Sequence, residues 1–499
     1  MKKNIKKRIT LINMISSFTL QIAVIISGFI LPKLMLSYFG SEVNGLVTSI
    51  NQFLSYITIL EGGITAVVST NLYKPIYQGD SEKINLILKT AKMFYRKIGI
   101  IFLIYAFCLS IVYPLFFNIS FSYLYIFSLV IILSVNLFIQ YVFSITLKTL
   151  LNADKKIYVV STVQIIIIII NILLSIISLK IYPSVHILKL INGIIYIIQP
   201  IFYKWYVNKK YKINFNVEED KSLISQRWDG FAVNIAYFIH SSTDITLLTF
   251  FTNYSMVSVY SVYFLVTNGL KTLIASILNA INPSLGQAYS TRKKELIEEK
   301  LSIYELITNL LVFYIYSVAA LLITPFVLLY TQGIADANYN QLLFGVLLVC
   351  SEGLYLLKYP HLNLAYSAKK FKELKIPAFI EALINIVVSV ILVMKYKLIG
   401  VAIGTVVAMI YRLLFHVWFT KKIINRKQSI YYKKLFIFVM TTIFGIITCL
   451  LLFPPNNLTI IKWIVHALVY SVIMGLYYLL MMIVFFRNDV LYIIKYIKK

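Results

Sequence analysis

Six charged side chains lie inside long apolar stretches of this sequence, where a charge is costly. They are Glu61, Asp244, Lys271, Glu352, Glu381 and Arg412. A charge at the centre of a membrane-spanning helix costs roughly 2.5–3.5 kcal/mol on insertion scales, so it tends to face the bundle interior, where it pairs or lines a pathway. A guanidinium in such a position can also clamp a phosphate group. The same charges can instead form structural ion pairs or snorkel to an interface.

No enzymatic motif accompanies these charges. Gly40 and Gly45 have the spacing of a phosphate-binding loop, but Leu46 stands where its lysine belongs, so ATP hydrolysis has no support. The histidines form no metal-ligand pair at helical spacing, and His240 and His416 are expected to be ordinary interfacial or core groups. The three cysteines fall singly in apolar runs. We therefore expect no catalytic role, metal or cofactor.

The composition requires a membrane. Of the 499 residues, 60% are hydrophobic and 13% are charged, whereas a soluble domain carries about 25% charged residues. The excess lies in apolar stretches of about twenty residues, each long enough to cross roughly 30 Å of hydrocarbon as a helix. The net charge of +28 comes from basic residues between these stretches. Because no soluble basic face accompanies them, we exclude nucleic acid and expect the partner to be the lipid bilayer.

The apolar runs predict an all-α integral membrane protein with about fourteen transmembrane helices. The predicted spans are 9–31, 43–70, 96–117, 121–147, 157–179, 184–203, 230–251, 254–282, 303–330, 338–360, 376–394, 398–420, 435–453 and 459–486. Prolines are expected at or near their ends, for example Pro32 and Pro283. The first run is too long for a signal peptide and lacks a cleavage site, so we expect an uncleaved helix.

The basic residues predict the orientation of the chain. With a cytoplasmic N-terminus, 39 of the 47 Lys and Arg residues fall on the cytoplasmic side and only six on the other. One wrong span would invert every later segment and destroy this bias. Both termini are therefore expected in the cytoplasm, in the inner membrane of a bacterium. The outside loops are too short to form a domain, so the function must lie within the helix bundle.

An internal repeat organises the spans. The pair Lys155-Lys156, followed by Asn171 and Ser175, recurs 214 residues later as Lys369-Lys370, Asn385 and Ser389. The repeat predicts a six-helix lobe at 1–207, a basic cytoplasmic linker at 208–229, a second six-helix lobe at 230–420, and two appended helices with a tail at 421–499. Parallel repeats of this kind place a cavity at their interface and support alternating access.

Several segments resemble Wzx-type polysaccharide flippases. They are Tyr-Phe-Gly-Ser-Glu-Val-Asn-Gly-Leu at 38–46, Ile-Leu-Glu-Gly-Gly-Ile at 59–64, Tyr-Lys-Pro at 73–75, and the runs 381–389 and 399–405. The six-plus-six-plus-two plan extends the resemblance over essentially the whole chain. It implies the multidrug/oligosaccharidyl-lipid/polysaccharide (MOP) exporter superfamily, a two-lobed bundle, and an undecaprenyl-diphosphate-linked oligosaccharide as substrate.

The resemblance also implies that the first, second, seventh and eighth helices line a cleft, which would need a cation for the diphosphate. Lys271 is the first candidate and Arg412 the second. Glu61 lies 210 residues before Lys271, so the two are expected at equivalent depths, and we predict that they pair in the empty carrier. Asp244 is a further candidate for the cleft, whereas Glu352 and Glu381 are expected to be structural.

Neutral polar residues could meet sugar hydroxyls or bond between helices. These are Asn51, Gln52, Asn234, Ser241, Ser242 and Asn268. The predicted function is translocation of lipid-linked repeat units for surface polysaccharide assembly, with a polymerase and glycosyltransferases as partners. One alternative is a small-molecule exporter, although the first helix lacks the acidic residue common in drug exporters. The other is a polymerase or acyltransferase, which should show a large outside loop or a catalytic histidine.

Overall fold

Helices make up all regular secondary structure in the described part of the chain, which contains no strand. The structure is a computed structural model that describes residues 2–61, 63–117, 120–225, 238, 242–455, 459–487 and 489, with side chains from residue 8 onward. The chain divides into two units, Met1–Phe238 and Ile239–Lys499. The predicted all-α fold is therefore confirmed.

The first unit is built from nine described helices. They are α1 (Lys2–Ser55), α2 (Thr58–Glu61), α3 (Ile64–Gln78), α4 (Ser81–Phe117), α5 (Tyr123–Ile139), α6 (Ile145–Ala153), α7 (Ile157–Ile181), α8 (Val185–Ile194) and α9 (Ile198–Lys210). A π-helical segment, Gln140–Ser144, joins α5 to α6, and a 3₁₀ turn, Ile195–Ile197, joins α8 to α9. A second 3₁₀ turn, Lys221–Ile224, lies in the predicted linker.

The described part of the second unit contains eight helices. They are α10 (242–251), α11 (Tyr254–Ser290), α12 (Lys294–Tyr330), α13 (Leu342–Leu357), α14 (Tyr359–Ser367), α15 (Lys375–Ile424), α16 (Ser429–Leu452) and α17 (Ile460–Phe485). The last two pack on α12 through a buried apolar cluster that includes Leu306, Phe438 and Tyr478. The opposite side of α17 presents large apolar side chains outward: Ile461 is 75% exposed and Leu468 is 63% exposed. Such a surface requires lipid.

Eleven helical stretches in the described residues are long and apolar enough to cross a membrane. Two of them contain a non-helical residue, Gly40 in the first and Lys397 in α15. The first covers the predicted span 9–31 and part of 43–70, and α15 covers 376–394 and 398–420. Thirteen of the fourteen predicted spans are thus accounted for, which establishes a multi-pass membrane protein. The remaining one, 230–251, is described only at residue 238 and from residue 242 onward. The count of fourteen therefore stays a prediction.

Several helices run past the apolar segments that define them. The 37 residues of α4 rise about 55 Å, well beyond the ~30 Å hydrocarbon core. Its N-terminal half covers residues that the sequence assigned to a loop before the span 96–117. The prediction that prolines mark helix ends is also wrong for Pro32 and Pro283, which lie inside α1 and α11. The length of an apolar run determines which residues cross the membrane. The length of the helix also depends on packing outside the hydrocarbon.

The second predicted span is not one helix. Residues 43–70 include the end of α1, the four-residue α2 and the start of α3. Gly63 precedes α3 with a φ of 87°, in the left-handed region that an L side chain rarely adopts. Glu61 is the last residue of α2, so this acidic side chain stands directly before a break in the helix.

The two lysine pairs of the sequence repeat form the same turn. Lys155 and Lys369 both adopt left-handed φ values, 58° and 55°. In each case the next residue closes a Schellman-type hydrogen bond. Lys156 N donates to Leu151 O at 2.8 Å, and Lys370 N donates to Ala365 O at 3.0 Å. The landmarks identified in the sequence therefore end equivalent helices in the two units.

The halves of α15 cross closely at two glycines. A Cβ on Gly400 would lie 2.4 Å from the carbonyl carbon of Leu392, and one on Gly404 would lie 2.8 Å from the backbone nitrogen of Ser389. Backbone cannot yield as a flexible side chain can. Gly400→Ala should therefore lower the melting temperature of the purified protein, whereas Gly269→Ala, with open space around its Cβ position, should not. Equal melting temperatures would contradict this tight crossing.

Candidate functional site

Lys271 forms an ion pair inside the second unit. Its Nζ atom, on α11, lies 3.0 Å from Oε1 and 2.9 Å from Oε2 of Glu352 on α13. The two side chains are only 15% and 8% exposed. Burial in low dielectric strengthens the attraction, and the pairing in turn offsets the desolvation of both charges. Glu352, which the sequence assigned a structural role, is therefore the partner of the first candidate cation.

Aromatic rings extend this pair to a second lysine. Lys271 Nζ lies 5.2 Å from the ring centroid of Tyr355 and 5.5 Å from that of Phe264. Lys358 Nζ lies 4.0 Å from the same Tyr355 ring. Lys358 is 5% exposed, and in the described part of the chain no carboxylate comes within ion-pair distance of it. A cation–π contact with Tyr355 thus stabilises the buried side chain of Lys358.

Arg412 belongs to a second ion pair, which joins the two halves of α15. Its Nη1 atom lies 2.7 Å from Oε2 of Glu381, and its Nε donates to His416 Nε2 at 2.9 Å. Lys358 interacts electrostatically with both ion pairs. The group formed by Lys271, Lys358, Arg412, Glu352 and Glu381, here called the charge cluster, therefore holds three basic side chains and two carboxylates. Its surplus positive charge suits an anion.

Asp244 is not a member of either ion pair and lies in an environment of oxygen atoms. It is 4% exposed and accepts hydrogen bonds from the Tyr260 hydroxyl at 2.9 Å and the Thr405 hydroxyl at 3.1 Å. Asn385 Nδ2 donates to Thr405 Oγ1 at 3.0 Å, and the Val401 carbonyl lies 3.2 Å from that same hydroxyl. Among the described residues no basic side chain forms an ion pair with Asp244.

These oxygens form a donor set suited to a hard cation. The Oδ1 atom of Asn385 is buried and has no hydrogen-bond partner in the described structure, so this acceptor remains open. A buried carboxylate without a basic partner also favours a cation. Carboxylate, amide, hydroxyl and carbonyl oxygens are the ligands that hard cations prefer. No group of three His, Cys, Asp or Glu side chains suited to a metal occurs in the part of the chain that is described.

Glu61 belongs to a separate network in the first unit. Its Oε1 atom accepts from the Thr65 hydroxyl at 2.5 Å, and its Oε2 atom accepts from the Tyr141 hydroxyl at 3.4 Å. Thr65 Oγ1 also lies 2.7 Å from the hydroxyl of Tyr95. The sequence paired Glu61 with Lys271, but in the structure each has its partners within its own unit. Equal depth in the membrane does not determine which helix is the neighbour.

The repeat nevertheless relates the two networks. Lys271 lies 210 residues after Glu61, and Glu352 lies 211 residues after Tyr141. In both units the paired side chains therefore occupy equivalent positions, with a carboxylate and a phenol in the first unit and an ammonium and a carboxylate in the second.

The neutral candidates are less closely connected. Asn51 and Asn268 are exposed on their own units, and Gln52 Nε2 donates to Ser55 Oγ at 3.3 Å. Ser242 is buried, whereas Asn234 and Ser241 lie outside the described residues, as does His240. The roles of Asn51, Gln52 and Asn268 in sugar binding remain predictions.

Sequence reasoning missed Lys358 and a second buried group. Lys358 resembles the basic residues that orient the chain, although its position near the end of the predicted span 338–360 indicates burial. Glu305 on α12 is fully buried and binds Arg426 through two hydrogen bonds of 2.5 and 3.0 Å. Lys434 lies 3.8 Å from the same carboxylate. This group ties the start of the appended helices to α12.

Removing the Glu305 carboxylate should therefore destabilise the protein. Glu305→Ala leaves the buried charges of Arg426 and Lys434 without their anion, and breaking a buried pair in this way costs about 3–5 kcal/mol. The matched control is Glu298→Ala on the same helix, whose ion pair with Lys294 is long and exposed. Thermal unfolding in detergent should show a large decrease in melting temperature for the first variant and almost none for the second. Equal decreases would refute a stabilising role for Glu305.

Comparison with solved structures identifies the fold. No protein-family model and no curated protein sequence matches this chain. The lipid II flippase MurJ, in an inward closed conformation, matches with a TM-score of 0.75 at 16% identity, over 96% of this chain and 100% of that one. An inward-facing multidrug resistance MATE family transporter of the MOP superfamily matches with a TM-score of 0.64 at 13% identity, over 83% and 99%.

A third match is the MATE multidrug transporter DinF-BH, solved in complex with a ligand, with a TM-score of 0.60 at 16% identity, over 84% of this chain and 96% of that one. Identities this low show the fold alone. The chain thus has a helical fold like that of these flippase and transporter structures.

Proposed function

We propose that this protein is a flippase for undecaprenyl-diphosphate-linked oligosaccharide repeat units, of the Wzx type, acting in surface polysaccharide biosynthesis. The observation that carries the proposal is the charge cluster. A buried group with one more cation than carboxylates suits a diphosphate, whose charge must remain compensated when it leaves water. The likeness in fold to a lipid II flippase supports the same substrate class.

In this proposal the substrate competes for cations that are already paired. Without substrate, Glu352 holds Lys271 and Glu381 holds Arg412. An arriving diphosphate takes over part of these contacts, and Lys358, which has no carboxylate of its own, supplies a further positive charge. The exchange couples substrate arrival to the packing of α11 against α13. Within the second unit the glycan contacts Asn268, while the polyprenyl tail stays in lipid; Asn51 and Gln52 stay predicted glycan contacts of the first unit.

The proposal includes the predicted domain plan and orientation. The lobes are 1–207 and 230–420, joined by the cytoplasmic linker 208–229 and followed by the appended helices in 421–499. Both termini lie in the cytoplasm, in accordance with the distribution of basic residues. The protein works in the inner membrane of a bacterium beside the glycosyltransferases that make the repeat unit and the polymerase that uses it.

Asp244 is the proposed site of energy coupling. The buried carboxylate, the open Oδ1 atom of Asn385 and the Thr405 hydroxyl can together bind a monovalent cation, which neutralises Asp244. Thr405 and Asn385 lie on the two halves of α15, so binding there would draw these halves toward α10. A cation gradient could thereby bias the conformation of the second unit.

Reconstitution tests the proposed function directly. Proteoliposomes carrying a fluorescent undecaprenyl-diphosphate-linked oligosaccharide should show protein-dependent loss of label from the quencher-accessible leaflet. A parallel sample should measure uptake of the cationic dye ethidium. Flipping without dye uptake supports the proposal. Dye uptake without flipping would instead establish a small-molecule exporter, the alternative that the MATE structures favour.

The same experiment addresses the enzymatic alternative. The lipid-linked oligosaccharide recovered from the proteoliposomes should be chemically unchanged by mass spectrometry. A longer glycan or an added acyl group would mark a polymerase or an acyltransferase and would overturn the proposal.

A further inference from the structure

A pocket in the first unit combines basic and apolar walls. It has a volume of about 760 Å³ and lies among α4, the α5–α6 segment, α9 and the chain that follows α9. Its basic residues are Lys92, Arg96 and Lys204, and all three are exposed. The remaining wall is mainly aliphatic and aromatic, and it contains no acidic residue. None of the charge-cluster residues lies here.

Within the described residues, none of these three cations forms an ion pair with a carboxylate. Lys89, Lys204 and Arg96 all act on Lys92 with like charge. The nearby carboxylate of Glu219 lies 3.9 Å from Lys97 and 3.8 Å from Lys221, outside the pocket wall. Lys92 Nζ instead lies 4.2 Å from the ring centroid of Phe215, in the segment after α9. Mutually repelling cations beside an open pocket favour an anionic ligand.

The polar and apolar parts of the pocket follow one another along α4. Lys92, Arg96, Ile100 and Leu103 are spaced by four, four and three residues, so they share one face of the helix. From Arg96 to Leu103 this face rises about 10 Å. The basic end lies at the start of the predicted span 96–117, while Ile100 and Leu103 lie further inside it and are about half exposed. A ligand that fits must carry an anionic head and a hydrocarbon tail.

Lys204 fixes the depth of the anionic head from a second helix. It lies in the last two turns of α9, just past the predicted span 184–203. The basic ends of α4 and α9 therefore meet at the same membrane interface, which is the cytoplasmic one in the proposed orientation. Basic pockets between transmembrane helices at that interface are suited to anionic lipid headgroups.

We propose that this pocket is a binding site for an anionic glycerophospholipid of the cytoplasmic leaflet. The lipid phosphate contacts Lys92, Arg96 and Lys204, and an acyl chain lies along Ile100, Leu103 and the exposed ring of Phe143. Phe215 lies over the basic end and links the linker segment to the bound headgroup. The site is independent of the proposed transport function, since it shares no residue with the charge cluster.

Native mass spectrometry of the full chain in detergent, titrated with phosphatidylglycerol or phosphatidylethanolamine, tests this inference. Phosphatidylglycerol should remain bound as a defined one-lipid adduct, whereas phosphatidylethanolamine should bind much more weakly. The variant Lys92→Gln/Arg96→Gln/Lys204→Gln should weaken phosphatidylglycerol binding by on the order of 100-fold. The control Lys293→Gln/Lys372→Gln/Lys421→Gln removes the same charge from exposed positions outside the pocket and should leave binding within about twofold of wild type.

Further outcomes separate the lipid from other anions. Equal losses in both triple variants would mean that only net charge matters and would overturn the site. Displacement of phosphatidylglycerol by inorganic phosphate at equal concentration would indicate a soluble-anion site instead. Selective loss of undecaprenyl diphosphate binding, with phosphatidylglycerol unaffected, would reassign the pocket to the transport substrate. Leu103→Asn should also weaken lipid binding, and an unchanged melting temperature in every variant would exclude misfolding as the cause.

Discussion

Lys271→Ala is expected to reduce lipid-linked oligosaccharide transport by on the order of 100-fold, the factor that corresponds to losing a charge-assisted hydrogen bond of about 3 kcal/mol. In the proposed mechanism the ammonium is transferred from Glu352 to the arriving diphosphate. Alanine removes that cation from the charge cluster. Lys271→Arg should retain part of the activity, because the requirement is for positive charge more than for one shape.

The ion pair complicates the reading of this variant, and the structure provides the control. Lys271→Ala alone leaves the Glu352 carboxylate buried without its cation, which destabilises the fold. Lys271→Ala/Glu352→Gln removes both charges and should recover the melting temperature without recovering transport. Membrane abundance and thermal unfolding should be measured beside the flipping rate. Full transport by either variant at normal abundance would remove Lys271 from the substrate site.

Exchange of the two charges separates a structural pair from a substrate site. Because Lys271 pairs with Glu352, the informative variant is Lys271→Glu/Glu352→Lys within the second unit. A pair that only holds α11 to α13 should tolerate the exchange, since the attraction is preserved. A phosphate site should tolerate it less well, because the cation has moved to another helix. Normal transport by the exchanged variant would indicate a purely structural role.

Asp244→Asn is expected to abolish the dependence of transport on a cation gradient while leaving the protein folded. Asparagine has nearly the same shape and still accepts hydrogen bonds from Tyr260 and Thr405, but it lacks the charge that attracts a cation. Removing an unpaired buried charge should leave stability unchanged or raise it. The variant should therefore differ from most interior substitutions by losing function without losing stability.

Flipping rates in proteoliposomes with imposed sodium or proton gradients would measure this effect. Wild type should respond to one of the two gradients, and Asp244→Asn should respond to neither. Asp80→Asn, which alters a more exposed carboxylate near Lys83, is the matched control and should keep the wild-type response. If Asp244→Asn retained the gradient dependence, energy coupling would have to reside elsewhere.

The sequence predicted the interior charges but not their partners. Lys271 and Arg412 stand out because the residues around them are apolar, and the structure does place both among buried groups. Their partners could not be derived, because Glu352 lies 81 residues from Lys271 along the chain. Only the packing of α11 on α13 brings the two together. Periodicity and hydropathy carry no information on which two helices pack against each other.

For residues at the ends of spans, the sequence does not distinguish an exposed loop from the protein interior. Three basic residues near the ends of apolar runs look like loop residues that orient the chain in the membrane, yet all three are buried: Lys358, Arg426 and Lys434. Helices that continue beyond the hydrocarbon create protein interior outside the membrane, where hydropathy no longer separates loop from core. The break at Lys397, in contrast, falls between the predicted spans 376–394 and 398–420, because a membrane-spanning helix must end before the next can return.

The left-handed turn at Lys155, which recurs at Lys369, has a consequence for how the sequence of this protein can diverge in evolution. A six-helix ancestor that was copied and joined to itself would carry that turn twice. Lipid-facing positions accept Ile, Leu, Val or Phe almost interchangeably, so the two copies diverge quickly there. A left-handed turn or a buried polar pair accepts far fewer substitutions. Common ancestry in such a protein is therefore preserved in a small number of turns and polar contacts, and it stays visible in the fold after most of the sequence has diverged.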